Sequence, residues 1–274
     1  MESTHNTKFE LWMPKYNRAY LFDSFFEASF PQKLLADYKS HCKRGCELGL
    51  EEIIKGISAN QPAEKLIPAI NDRIAKIDHR DASIFAVSFK PKTYGDEPTT
   101  INCLGHATVL VCSLEKLGRY DILADIKVKT SSDHVWLFYD GERKFDINGS
   151  GESILRPLES LLIGNLNACA QNLASMETTG DDEAQKKDII KEAQKKAEES
   201  LSIDPNEPYS LDVAGKLFWL QAKAEKNLVF YNAGVECLEK EFESKGLTSS
   251  IRLSLLAELI QIRSERDSLA NQYI

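Results

Sequence analysis

The sequence predicts an α+β protein, with helices packed on a small antiparallel sheet in the first half and an all-helical second half. Three observations carry that expectation. Apolar residues recur at three-to-four spacing through the first part of the chain and again from Leu104 to Leu117, which is the helical period. After Gly118 the period changes to two, the mark of half-buried strands. From Arg156 onward the helical period returns and persists.

Taken in order, Phe25, Leu34, Leu35 and Tyr38, then Leu48, Leu50, Ile53, Ile54 and Ile57, mark the first helices. A further helix from about Pro62 to Ile77 carries Leu66, Ile67, Ile70, Ile74 and Ile77 on one face. A polar loop from Lys90 to Thr100 leads into the segment "INCLGHATVLVCSLEKLG". There Asn102 is an N-cap residue type, Gly118 sits where a C-terminal glycine belongs, and Leu104, Ala107, Leu110, Val111, Leu114 and Leu117 form the core stripe. Ile122, Ala124, Ile126 and Val128 alternate with Leu123, Asp125, Lys127 and Lys129, which predicts a strand. The stretch "DHVWLFYDGERKFDING" predicts a hairpin, with strands over 134–139 and 142–147 and a turn around Asp140-Gly141. A three-residue loop with Gly141 in the left-handed position pairs Phe138 with Glu142, Trp136 with Lys144 and His134 with Asp146, so the last two share a face.

Composition narrows the function classes. A net charge of −8 argues against a nucleic-acid footprint. No apolar run reaches the roughly 18 residues of a membrane span, and the first residues hold no apolar signal core. The six cysteines are irregularly spaced, as reduced thiols are. The cytoplasm is the expected compartment, with a specialised secretion route left open. His41, Cys42 and Cys46 cluster, but no second ligand pair follows at a zinc-finger or ribbon distance, so no metal is expected. No calcium loop and no cofactor motif is evident.

Cys103 heads a helix, His134 lies on a strand and Asp146 on the next strand, and these are the components of a nucleophilic triad. A helix N-terminus and a neighbouring imidazolium both favour a thiolate, and first-turn backbone N–H groups can receive an oxyanion. His106, one turn beyond Cys103, is a local alternative partner for the thiol.

Residues 99–147 resemble the transglutaminase-like superfamily of the papain-like cysteine-enzyme fold. The resemblance rests on Cys103 opening a helix that ends in "LEKLG", on His134 followed by "VWLFY", and on Asp146 twelve residues later. It implies Cys103 as nucleophile, His134 as base and Asp146 as orienting carboxylate. The implied activity is acyl transfer on a protein or peptide substrate: peptide or isopeptide hydrolysis, glutamine deamidation or transamidation.

The second half carries "KKAEESLSIDPNEPYSLDVAGKLFWLQAKAEKNLVFYNAGVECLEKE", which resembles tetratricopeptide-repeat material. Its signs are Ala197, Leu201 and Ile203 before the "DPNEP" turn, and Leu217, Leu220, Ala233 and Leu238 after it. Lys186-Lys187 and Lys195-Lys196 read as a solvated helix face. The expected organisation is a transglutaminase-like domain over 1–151 and a helical, repeat-like domain over 152–274. A weaker resemblance, through "SSDHVWLFYDG", is to menin-like proteins, which join a transglutaminase-like fold to helical repeats. That resemblance implies a non-catalytic scaffold for peptides or protein partners, with the helical half a possible partner surface.

Overall fold

The computed structural model describes residues 21–30, 36–75, 103–130, 135–147, 149, 153–177, 183–244 and 247–272. They are mostly helical, with one four-stranded antiparallel sheet, and belong to the α+β class. The chain divides into two compact units, the described residues of the first ending at Asn165 and those of the second beginning at Leu166.

The described residues of the first unit begin with α1 (Leu21–Ser29), α2 (Ala36–Ile54) and α3 (Ala63–Ile74). The expected stripe of α3 is real: Leu66, Ile67, Ile70 and Ile74 are fully buried, while Ile77 lies outside the described residues. Helix α4 (Cys103–Lys116) touches α1, α2, α3, the short α5 (Tyr120–Asp125) and the sheet. It is therefore buried on every side from Ala107 to Glu115, rather than along one stripe. Gly118 ends the helix as expected, at φ 70°. Its N–H donates to the Glu115 carbonyl (2.8 Å) and the Arg119 N–H to the Leu114 carbonyl (2.9 Å), a Schellman closure.

The alternation expected to begin at Ile122 begins four residues later. Residues 120–125 form α5, because Arg119 turns the chain: its carbonyl accepts from the Ile122 and Leu123 N–H groups, both at 3.1 Å. Ile122 and Leu123 are both buried, which a half-buried strand could not arrange for adjacent residues. The Arg119 guanidinium also donates to the Ala59 and Gln61 carbonyls, tying this corner to the α2–α3 connection.

The strands are β1 (Ile126–Thr130), β2 (Val135–Tyr139), β3 (Phe145–Ile147) and β4 (Ile154–Arg156), in the order β3-β2-β1-β4. The fourth is an addition to the expected set; at three residues it is too short to show a period. Ile126, Val128, Leu137, Tyr139 and Ile147 are buried on one face. Lys127, Lys129, Trp136, Phe138 and Asp146 alternate onto the other.

The β2–β3 register differs from the expected one. Asp146 opposes Phe138, Phe145 opposes Tyr139 and Ile147 opposes Leu137. The connection is Asp140–Lys144, five residues rather than three. Gly141 is not in the left-handed region. Its role is close approach instead, since a Cβ there would stand 2.2 Å from the Tyr139 ring. Asp140 holds the loop by accepting from Lys127 and from Lys144 (2.6 Å), and these ammonium groups pull its carboxyl down to about 2.

Helix α6 (Glu159–Glu177) starts in the first unit and continues in the second. The second unit adds α7 (Glu183–Ile203), α8 (Pro208–Glu225), α9 (Leu228–Glu243) and α10 (Ser249–Ala270), each of α7 to α9 packed on the next. The connections follow local chemistry. Pro208 takes the first turn of α8 and the Glu207 carboxylate caps Ser210 N (2.6 Å). Lys226, at φ 49°, ends α8, and the Asn227 side chain caps α9 through Val229 N (2.9 Å), so a two-residue link makes the pair antiparallel. A polar chain runs inside: Ser200 donates to Asn167 (2.8 Å), which donates to Ser210 (2.9 Å). Lys187 and Lys195 are solvated as expected, but Lys196 is not; it is 2% exposed.

Candidate functional site

Cys103 is the first residue of α4 and is half-buried, so its thiol stands where a buried helix meets solvent. The turn behind it is tightly fixed. A Cβ on Gly164 would come within 2.9 Å of Leu104, so helix α6 sits directly against the residue after the cysteine. Thr108 donates to the Leu104 carbonyl (2.8 Å) and accepts from Asn165 (3.0 Å), which in turn accepts from Ser29 (2.8 Å). These groups are buried and mutually satisfied, which a rigid polar network requires.

The far end of α4 is fixed by Glu115. Its two oxygens accept from the Leu21 and Phe22 N–H groups, at 2.5 and 2.8 Å, and so cap the first turn of α1 from 94 and 93 residues away. Burial pushes this carboxyl above its ordinary value, against the pull of the two amides.

His106 is held elsewhere than at the cysteine: its Nε2 lies 2.8 Å from Asn71 Oδ1. His134 and Asn102 lie outside the described residues. Asp146, on β3, has two partners outside the expected triad. Lys129 Nζ (2.6 Å) and Trp136 Nε1 (3.2 Å) both donate to Oδ1. Lys129 also sits 4.3 Å from the centroid of the Phe138 ring. Strand alternation was the signal that could have found them, because it puts Lys129, Trp136 and Asp146 on one face. The expected opposition of His134 and Asp146 is corrected by the register, in which Phe138 stands opposite Asp146.

The Cys42 side chain lies outside the described residues, and the other described thiols vary in burial. Cys46, Cys112 and Cys169 are buried, and Cys237 is half-buried in the second unit. Burial drives the Cys112 thiol far up, aided by Glu115, and pushes Cys169 up to about 12 and Cys237 to about 11. No helix among the described residues is long and apolar enough to cross a membrane. Compared with models of known protein families and with curated proteins, the chain matches none.

Proposed function

We propose that the protein is a cysteine-dependent acyl-transfer enzyme in which Cys103 is the nucleophile, His134 the base and Asp146 the orienting carboxylate. The observation that carries this reading is the placement of Cys103. It is a half-buried thiol at the head of a buried, firmly anchored helix, whereas Cys46, Cys112 and Cys169 are enclosed and the half-buried Cys237 lies inside a helix near its end.

In this reading the Cys103 sulfur attacks the carbonyl carbon of a peptide, isopeptide or glutamine amide. The C–N bond breaks, His134 delivers the proton to the departing amine or ammonia, and a thioester remains. Water then gives hydrolysis or deamidation, and an amine gives transamidation. The first-turn N–H groups of α4 are suited to the oxyanion. The resemblance of residues 99–147 to transglutaminase-like enzymes supports the same roles.

The test is alkylation of native protein by iodoacetamide at pH 6, mapped by peptide. Cys103 is expected to label first. His134→Ala should slow that labelling about tenfold or more, Asp146→Ala less, and His106→Ala little, since His106 is engaged by Asn71. Labelling of Cys103 that is no faster than at other thiols, or indifferent to His134, would remove the nucleophile reading.

A second reading is a menin-like, non-catalytic scaffold. Asp146 favours it, because its nearest partners are Lys129 and Trp136 and its strand opposite is Phe138. Under this reading Cys103→Ala leaves every binding activity intact, whereas under the first it abolishes thioester formation.

A further inference from the structure

Helices α8, α9 and α10 each bring one carboxyl to a shared region of the second unit: Asp212, Glu241 and Glu258. Lys216 of α8 is the ammonium among them, with Nζ 2.6 Å from Asp212 Oδ1 and 3.4 Å from Glu258 Oε1. Glu241 is 5% exposed, and its Oε2 has neither a hydrogen-bond partner nor access to solvent. Glu258 Oε2 is in the same position. Glu207, at the cap of α8, adds another negative charge facing Glu241. Lys216 already answers Asp212 and Glu258, so a third charged carboxylate here would be buried without a counter-charge.

We propose that Glu241 is held as a neutral acid in the folded protein, and that its ionisation is a pH-sensitive latch loosening α9 from α8 and α10. Burial first, and the Asp212 carboxylate next, push the Glu241 carboxyl up to about 8, against the opposing pull of Lys216. A carboxyl raised in the folded state contributes stability that is complete below its ordinary value of 4.5. That contribution declines as pH rises from there and is gone above about 8.

The second unit is well suited to reading this out. All five histidines precede Leu166, and Cys169 and Cys237 are pushed to about 12 and 11, so neither class titrates within this unit over the window. Glu236 and Glu265 are held below their ordinary values and change charge at lower pH.

Hydrogen–deuterium exchange on the full chain, mapped by peptide and corrected for the intrinsic pH dependence of exchange, tests the proposal. Protection of α9 is expected to fall several-fold per pH unit between pH 5 and 8, with roughly tenfold per unit as the limit for one proton. Glu241→Gln should make that protection flat with pH and at least equal to the native value at pH 8. Asp212→Asn should move the levelling-off point to lower pH. A direct check needs no variant: in carboxyl-labelled glutamate carbon NMR, one signal should titrate near 8. Native α9 protection that is flat or rises with pH, a slope that survives Glu241→Gln, or no glutamate titrating above pH 6 would each overturn the latch.

Discussion

Glu115 joins the two ends of a long stretch of chain with one carboxylate. It is 8% exposed and its oxygens satisfy two first-turn amides of α1, which have no intrahelical acceptors of their own. Glu115→Ala takes its acceptor from the buried Leu21 N–H and its second acceptor oxygen from the half-buried Phe22 N–H, which costs about 1–3 kcal/mol of stability. Glu115→Gln keeps a single acceptor and should cost less. Urea unfolding of the two variants checks this, and a loss under 1 kcal/mol for Glu115→Ala would show that water replaces the carboxylate. A glutamate near the end of an amphipathic helix reads from sequence as a solvated charge, so its capping role was not legible there. Cys103 was legible, because a polar cap type before it and a leucine–glycine turn after it frame the helix on both sides. The partners of Asp146 were half legible: alternation groups Lys129, Trp136 and Asp146 on one face, but the choice among them depends on register.

Elements written by single residues were the easiest to read. Gly118 ends α4 because the left-handed closure excludes most other residues. The "DPNEP" turn ends α7 and starts α8 because proline suits a first helical turn and the preceding glutamate caps it. Elements decided by packing were harder. Residues 120–125 match both periods over so short a span, and the buried pair Ile122 and Leu123 decides for helix. At Gly141 the pattern suggests a conformational requirement where the structure has a spatial one, and the observed hairpin register differs from the expected one by four residues. The same spatial logic holds α8 against α9. A Cβ on Gly234 would lie 3.1 Å from the Gly215 carbonyl oxygen and 2.9 Å from Ile262 Cδ1. The backbone oxygen cannot swing aside, so Gly234→Ala should separate the helices and cost about 1–3 kcal/mol. A thermal midpoint unchanged by this substitution would mean that the helix pair relaxes freely.

Across the whole molecule, the buried carboxyls and the net charge push stability in the same direction. Glu115 in the first unit and Glu241 in the second are both raised, chiefly by burial. Each therefore contributes stability that is full below the ordinary glutamate value and declines as pH rises above it. Asp121, Asp140, Glu236 and Glu265 are lowered, so their contribution is present above the ordinary carboxylate range and lost on acidification. Below pH 4 only the lowered set changes, and above 5 only the raised pair does. Net charge adds to this: it is −8 at pH 7 and passes through zero near 5.3, where self-repulsion is least. The thermal midpoint should therefore peak between about pH 4.5 and 6 and fall toward pH 8. Scanning calorimetry from pH 3.5 to 8 measures it, and Glu115→Gln combined with Glu241→Gln should flatten the descending limb while leaving the acid limb in place. A midpoint that climbs steadily to pH 8 would mean that both glutamates are ionised in the folded protein, and that the enclosed oxygen of Glu241 finds a donor after all.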